Sequence, residues 1–270
     1  MSEIFQQKDP TFLSIELWQS QNNSLVAGFT TRLGGVSQSP FDTFNLGMHV
    51  NDQLQDVLAN RNELGKSLRM PLSQWVAAEQ IHGNQIHIVD KHDKGKGAQT
   101  FDSSIKKTDG LITREPGILC TAFFADCVPL YFFDPITTYI GIAHAGWRGT
   151  TNKIGARMVE QMQNLGVNPK NILVAIGPSI SQEKYEVDET VINQIDELYR
   201  ESVSIKHSGT KYLLDLKLLN KQILLDSGIK ELNIEMTKHC TYTKQGLFFS
   251  HRRDQGKTGR MLGYIGLKQS

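Results

Sequence analysis

Cysteine is scarce in this 270-residue chain: Cys120, Cys127 and Cys240 are the full set. A small, odd number of thiols does not build the disulfide framework of a secreted domain. Neither sign of charge dominates, with 29 Lys and Arg against 28 Asp and Glu, so no basic stripe points to nucleic acid. No apolar run approaches the roughly 20 residues that a helix needs to span a bilayer, and residues 1–8 lack the apolar core of a signal peptide. Internal repeats, Pro-rich linkers and low-complexity tracts are also missing. These absences predict a soluble cytoplasmic protein with neither nucleic acid nor membrane as partner, while 270 residues allow one large domain or two small ones, as a monomer or homodimer.

Several catalytic signatures are missing too. There is no Cys-x-x-Cys and no His-x-Glu, as a zinc deaminase of the cytidine type requires. The helical His-Glu-x-x-His of metalloproteases and both Gly-rich nucleotide fingerprints are absent. No two histidines stand two residues apart, which argues against the several closely spaced His pairs of a multicopper oxidase.

What is present is concentrated in three segments: Gln80-Ile81-His82-Gly83, Ala125-Asp126-Cys127-Val128-Pro129 and Ala143-His144-Ala145-Gly146-Trp147-Arg148-Gly149. Each sets one ligand-competent side chain beside small or turn-forming residues. If they converge, His82, Cys127 and His144 form a three-ligand set, which for zinc leaves a fourth position open, as in catalytic sites. The same set matches the equatorial ligands of blue copper. Taken singly, each residue has a plainer reading: Cys127 as a small buried hydrophobe, His82 as a solvated loop histidine. The loop Ser250-His251-Arg252-Arg253-Asp254, with Arg260 shortly after, reads either as a solvated turn or as an anion-binding wall.

Apolar runs predict strands over residues 75–80, 85–89, 110–113, 119–124, 130–133, 139–143, 172–176, 247–250 and 261–267, with 130–133 and 139–143 forming a hairpin. Helical spacing predicts helices over 53–68, 154–165, 191–199 and 216–223, the last opened by Asp215 and closed before Gly228. The polar stretch 91–107 reads as a long exposed loop. Hairpins mixed with helices, without a regular βα repeat, indicate α+β.

Within the 53–68 helix, Leu54, Val57, Leu58, Leu64 and Leu68 share one face, and Arg61 falls inside that stripe. A charge there needs a partner. Either Arg61 pairs with a core carboxylate, or its planar fork is aimed at a substrate phosphate or carboxylate.

Taken together, these motifs resemble the laccase-domain family of cytoplasmic zinc proteins, whose members are described as polyphenol oxidases, peptidoglycan editing factors and purine nucleoside phosphorylases. The resemblance runs from Phe29-Thr30-Thr31-Arg32-Leu33-Gly34-Gly35 and Phe44-Asn45-Leu46-Gly47 through Asn60-Arg61 and Thr108-Asp109-Gly110-Leu111. It continues in the three segments above and ends in Phe249-Ser250-His251-Arg252-Arg253-Asp254 with Thr258-Gly259-Arg260-Met261. It implies a single-domain layered α/β/β/α sandwich with mixed sheets. It also implies zinc held by His82, Cys127 and His144 at the catalytic centre, and substrate or phosphate contacts from Arg61, Asn45 and Arg148. The implied activity is phosphorolysis of adenosine, inosine, guanosine and S-methyl-5'-thioadenosine, with adenosine deamination and, as a biological role, editing of peptidoglycan precursors. One departure is that Ser181-Gln182-Glu183-Lys184 precedes Tyr185-Glu186-Val187 where relatives commonly carry cysteines. The residues themselves leave two rivals open: a metal-free hydrolase with Cys127 as nucleophile and His144 as base, and a copper-dependent polyphenol oxidase.

Overall fold

The computed structural model describes residues 3–269; Met1, Ser2 and Ser270 lie outside the described residues, the first two at the start of the stretch read above for a signal peptide. Two six-stranded sheets form its centre. The first runs Gln6–Asp9, Phe12–Ser14, Leu25–Thr30, Met261–Leu267, Ile118–Phe124, Trp75–Ala77, antiparallel except for the last pair. The second runs Ile234–Met236, Leu173–Ile176, Val128–Phe133, Ile140–Ala145, Gly110–Thr113, Ile86–Ile88, with parallel pairs at both edges and antiparallel pairs between. Both sheets are therefore mixed.

Strand alternation shows the layering. In Ile118–Phe124, Leu119 and Phe123 pack with Leu64 and Leu68 of the helix Leu54–Leu68. Their neighbours Ile118, Cys120, Ala122 and Phe124 face the other way, into a core shared with Tyr131, Phe133, Ile140 and Ile142 of the second sheet. In Val128–Phe133, Leu130 and Phe132 turn outward onto Met158 and Met162 of the helix Ile154–Asn164 and onto Leu219 and Ile223 of the helix Leu216–Asp226. A strand covered on both faces reads as a continuous apolar run because a two-residue period leaves no position for water. The layers are helix, sheet, sheet and helices, the α/β/β/α arrangement expected. Among the described residues no helix is long and apolar enough to cross a membrane.

Local expectations fail where a side chain replaces a ladder or a cap interrupts a stripe. The strand expected over 75–80 stops at Ala77. Gln80 then pairs by its side chain, donating from Nε2 to Phe123 O at 2.9 Å and accepting from Phe123 N at 2.7 Å. The helix expected over 191–199 is two helices, Glu189–Ile192 and Glu197–Val203, because Asp196 caps the second by accepting from Leu198 N. Residues 247–250 form no strand: Phe248 and Phe249 are both buried, and Arg253 takes up Phe248 O. The polar strand Ser204–Ser208 and the short strand Lys211–Leu214, joined to Glu186–Asp188, make a small third sheet that apolar periodicity does not signal.

Residues 91–107 are tied to the body by Arg61, which is 1% exposed. Its Nε donates to Leu46 O and its Nη1 to Gly97 O and Ala98 O, all at 2.8 Å, while its guanidinium lies 4.8 Å from the Phe123 ring centroid. Of the two partners weighed for Arg61, the core carboxylate is not what holds it. Among the described residues no carboxylate pairs with it, and backbone carbonyls occupy two of its three nitrogens. Burial lowers its pKa to about 9, which leaves it cationic at neutral pH.

Candidate metal centre and cleft

The hairpin Val128–Phe133/Ile140–Ala145 pairs Pro129 with His144, so Cys127 and His144 emerge at the same end of the second sheet. The next strand, Gly110–Thr113, places Gly110 opposite Ala143. Asp109 thereby meets His144, whose backbone N donates to Asp109 O at 2.8 Å. His82 arrives from the loop after Trp75–Ala77.

Two backbone positions bend sharply to achieve this: His82 has φ +59° and Asp126 φ +88°, a region that residues other than Gly seldom occupy. Side chains hold both. Asp109 Oδ1 accepts from His144 Nδ1 at 2.8 Å and His82 N at 3.1 Å, and Oδ2 from Ile81 N at 3.1 Å and Gly83 N at 2.8 Å. Asp126 Oδ1 accepts from Thr241 Oγ1, and its Oδ2 from Ser250 Oγ and Arg252 N, at 2.6, 2.9 and 2.7 Å. The chain around Cys127 is thus fastened to the loop that carries His251 and Arg252.

One ligand-competent atom each from His82, Cys127 and His144 lies within 4.8 Å of the others, and the two imidazole centroids are 4.7 Å apart. Around a tetrahedral ion with bonds of about 2.0–2.3 Å, ligand atoms sit about 3.5 Å apart, so a small contraction closes the group on zinc. His144 is buried, Cys127 half-buried and His82 exposed toward the cleft. Because His144 Nδ1 is bonded to the carboxylate, Nε2 is its free ligand atom, the orientation that carboxylate partners give to metal-binding histidines. Gly146 is required by space: a Cβ there would stand 2.6 Å from His82 Nδ1 and 3.2 Å from Cys127 Sγ.

Electrostatics match the geometry. Burial opposes ionisation of Cys127, but the His144 and His82 imidazoles outweigh it and bring the thiol down to about 6. Burial likewise disfavours the imidazolium of His144, yet Cys127 and Asp109 raise its pKa to about 9. Burial would raise the Asp109 carboxyl, but hydrogen bonding to His144 and the loop amides holds it below the usual range. Both shifts run in the direction that favours a thiolate beside an imidazolium over the neutral pair.

The group forms the floor of a cleft of about 440 Å³. Aromatic walls come from Phe101, Phe123, Trp147 and Tyr185, and cationic ones from Arg252 and Arg260, with His49 and His251 at the sides. Arg252 lies over the Tyr185 ring at 5.2 Å. The 250–254 loop and Arg260 therefore do face the cleft. Arg61, Asn45 and Arg148 are not among its lining residues. Asn45 is fully buried and its amide is saturated: Oδ1 accepts from Gly47 N and Arg260 N, and Nδ2 donates to Gly47 O and Asp52 Oδ2. Arg148 is exposed and stacks on Trp147, 4.4 Å from its ring centroid. Sequence reasoning singled out no role for Asp109, although the Thr108-Asp109-Gly110 run carried it, nor for His49; Gly146 was legible only as a small neighbour that lets other groups approach His144.

The fold and the site define a layered α/β/β/α protein whose cleft is built on a His/Cys/His group. The chain belongs to the family described as multi-copper polyphenol oxidoreductase laccase, which matches residues 26–268. It is 44% identical over 267 residues to the protein named purine nucleoside phosphorylase YlmD of Bacillus subtilis (strain 168), covering 97% of this chain and 96% of that one. Among solved structures it is similar to the hypothetical protein YfiH of Bacillus licheniformis, with TM-score 0.95, 43% identity and coverage of 98% and 99%. It is also similar to YlmD of Geobacillus stearothermophilus, with TM-score 0.94, 41% identity and coverage of 99% and 100%. Among the described residues a single group of three or more metal-competent side chains is found, the one above.

Proposed function

We propose that the chain is a purine nucleoside phosphorylase whose cleft works around one zinc ion held by His82, Cys127 and His144. The observation that carries this reading is the convergence of those three side chains at the base of an aromatic, cationic cleft. It is joined by 44% identity over nearly the whole chain to a protein of that name. Adenosine, inosine, guanosine and S-methyl-5'-thioadenosine are the proposed substrates, and deamination of adenosine a second activity of the same cleft.

A zinc ion bound there would polarise a coordinated oxygen and lower the pKa of a water. The chain's own residues do the rest. Flat walls such as Trp147 and Tyr185 suit a purine ring, and the arginines supply fixed positive charge for an oxyanion. Asp109 keeps His144 in one tautomer and holds the 81–83 loop. In phosphorolysis a phosphate oxygen bonds to ribose C1′ as the C1′–N9 bond breaks, and the proton of hydrogen phosphate ends on the purine.

A second reading has its own support. Cys127, His144 and Asp109 stand in the order thiol, imidazole, carboxylate, which is also a nucleophile, base and orienting acid. His82 favours the metal, since a triad has no use for a second imidazole at the sulfur.

The test is a product analysis. Zinc-loaded protein given adenosine should release adenine only when phosphate is present, and inosine with or without it. Failure to form either product ends the nucleoside reading; full activity after chelation, with rapid loss on alkylation of Cys127, moves the site to the hydrolase class.

A further inference from the structure

We propose that Arg260 and His49 form the subsite that takes the phosphate co-substrate beside the His/Cys/His group, with Asn45 as the residue that positions it. The inference rests on the phosphorylase reading for its biological meaning, but the subsite is defined by geometry.

Arg260 lines the cleft and its guanidinium is fixed on one side only. Nη1 donates to Thr258 O at 2.8 Å and to Gly259 O at 3.0 Å. Among the described residues Nε and Nη2 have no hydrogen-bond partner, and those two nitrogens form the edge that binds an oxyanion bidentately. Its backbone is equally fixed: Arg260 N donates to Asn45 Oδ1 at 2.8 Å, and Arg260 O accepts from Leu46 N at 3.1 Å. This is what the saturated Asn45 amide accomplishes.

Gly47 brings the second member in. A Cβ at that position would lie 2.8 Å from Arg260 Cγ and 3.3 Å from His49 Cε1, so only Gly lets the arginine stem and the imidazole come together. His49 faces the cleft with its ring against Phe123 at 5.7 Å and Phe101 at 6.4 Å. Behind Phe123 lies Arg61, its guanidinium 4.8 Å from the ring centroid and paired with no carboxylate among the described residues. The carboxylate in the cleft wall, Asp126, is occupied by Thr241, Ser250 and the Arg252 amide. A corner with two converging donors, a cation behind and aromatic surface around it suits a doubly charged phosphate, supplied either as the free ion or as the phosphate of a nucleotide. The placement beside the metal group favours the free ion, because the reaction needs an oxygen delivered to the sugar carbon.

The experiment measures the thermal midpoint of zinc-loaded protein in inorganic phosphate against chloride of equal ionic strength. It is run for wild type, Arg260→Met, Arg260→Lys, His49→Gln and, as a surface-charge control, Lys206→Ala. Wild type and the control should rise with phosphate. Arg260→Met should lose that rise, and Arg260→Lys and His49→Gln should need at least tenfold more phosphate for the same shift. In turnover, Arg260→Lys should raise KM for phosphate at least tenfold while KM for adenosine changes little. A phosphate response in folded Arg260→Lys and His49→Gln equal to wild type overturns the subsite, whether or not Arg260→Met folds. So does the absence of any response in wild type, or stabilisation by AMP alone. Phosphate stabilisation that depends on Arg260, without release of free base, upholds the subsite and overturns the phosphorylase reading instead.

Discussion

Asp109→Asn separates the orienting role of a carboxylate from its shape. The carboxylate accepts four hydrogen bonds, from His144 Nδ1 and from the amides of Ile81, His82 and Gly83. An asparagine amide that keeps its oxygen toward His144 turns an NH2 group onto the amides of Ile81 and Gly83, donor against donor. Two hydrogen bonds to a charged acceptor are lost, at about 1.5–3 kcal/mol each. The 81–83 loop borders solvent, and water will replace part of this, so a loss of about 3 kcal/mol in the metal-free protein is expected. The second effect falls on His144, whose orientation and basicity both come from the carboxylate. Loss of such a partner weakens metal binding by about 10- to 100-fold. Chelator competition for zinc at neutral pH reads the second effect, and the thermal midpoint of the metal-free protein the first. Wild-type zinc affinity in a folded Asp109→Asn protein would refute the claim that His144 is a ligand oriented by Asp109.

Three further outcomes follow from the same contacts. Gly146→Ala should keep the fold but weaken zinc by an order of magnitude or more, since its Cβ would press on His82 Nδ1 and Cys127 Sγ; zinc competition checks it. Arg61→Met should lower stability by about 3–5 kcal/mol, because the carbonyls of Leu46, Gly97 and Ala98 lose their donor. Hydrogen exchange should show the 91–107 segment loosened first. In metal-free protein, alkylation of Cys127 should rise through a midpoint of about 6, while Cys120, raised by burial, stays inert. The lowered thiol and the raised His144 imidazole express one interaction, so the linked stability is present between about pH 6 and about pH 9 and is lost as pH falls through the first value or rises through the second.

How much of this was legible in the sequence depended on whether a residue's partner has a sequence signal of its own. The hairpin that sets Cys127 against His144 was legible, because its two apolar runs flank a turn, and so was the Asp215 cap. Arg61 was legible as an anomaly, but its partners are peptide carbonyls, which every residue possesses and no residue advertises. The Asn45 amide is likewise taken up inside the fold, by Gly47, Asp52 and the Arg260 backbone, so its influence on the cleft passes through Arg260. Asp109 lies 35 residues before His144 and meets it through strand register, which periodicity does not reveal. The third sheet escaped notice because Ser204–Ser208 is largely exposed and so carries no apolar alternation.

The central claim is that His82, Cys127 and His144 hold a single catalytic zinc. Its most direct test is to titrate zinc into the metal-free protein and follow phosphate-dependent release of adenine from adenosine. Activity should rise linearly and break at one equivalent per chain. Full activity before any metal is added, or a break at several equivalents, would contradict the account.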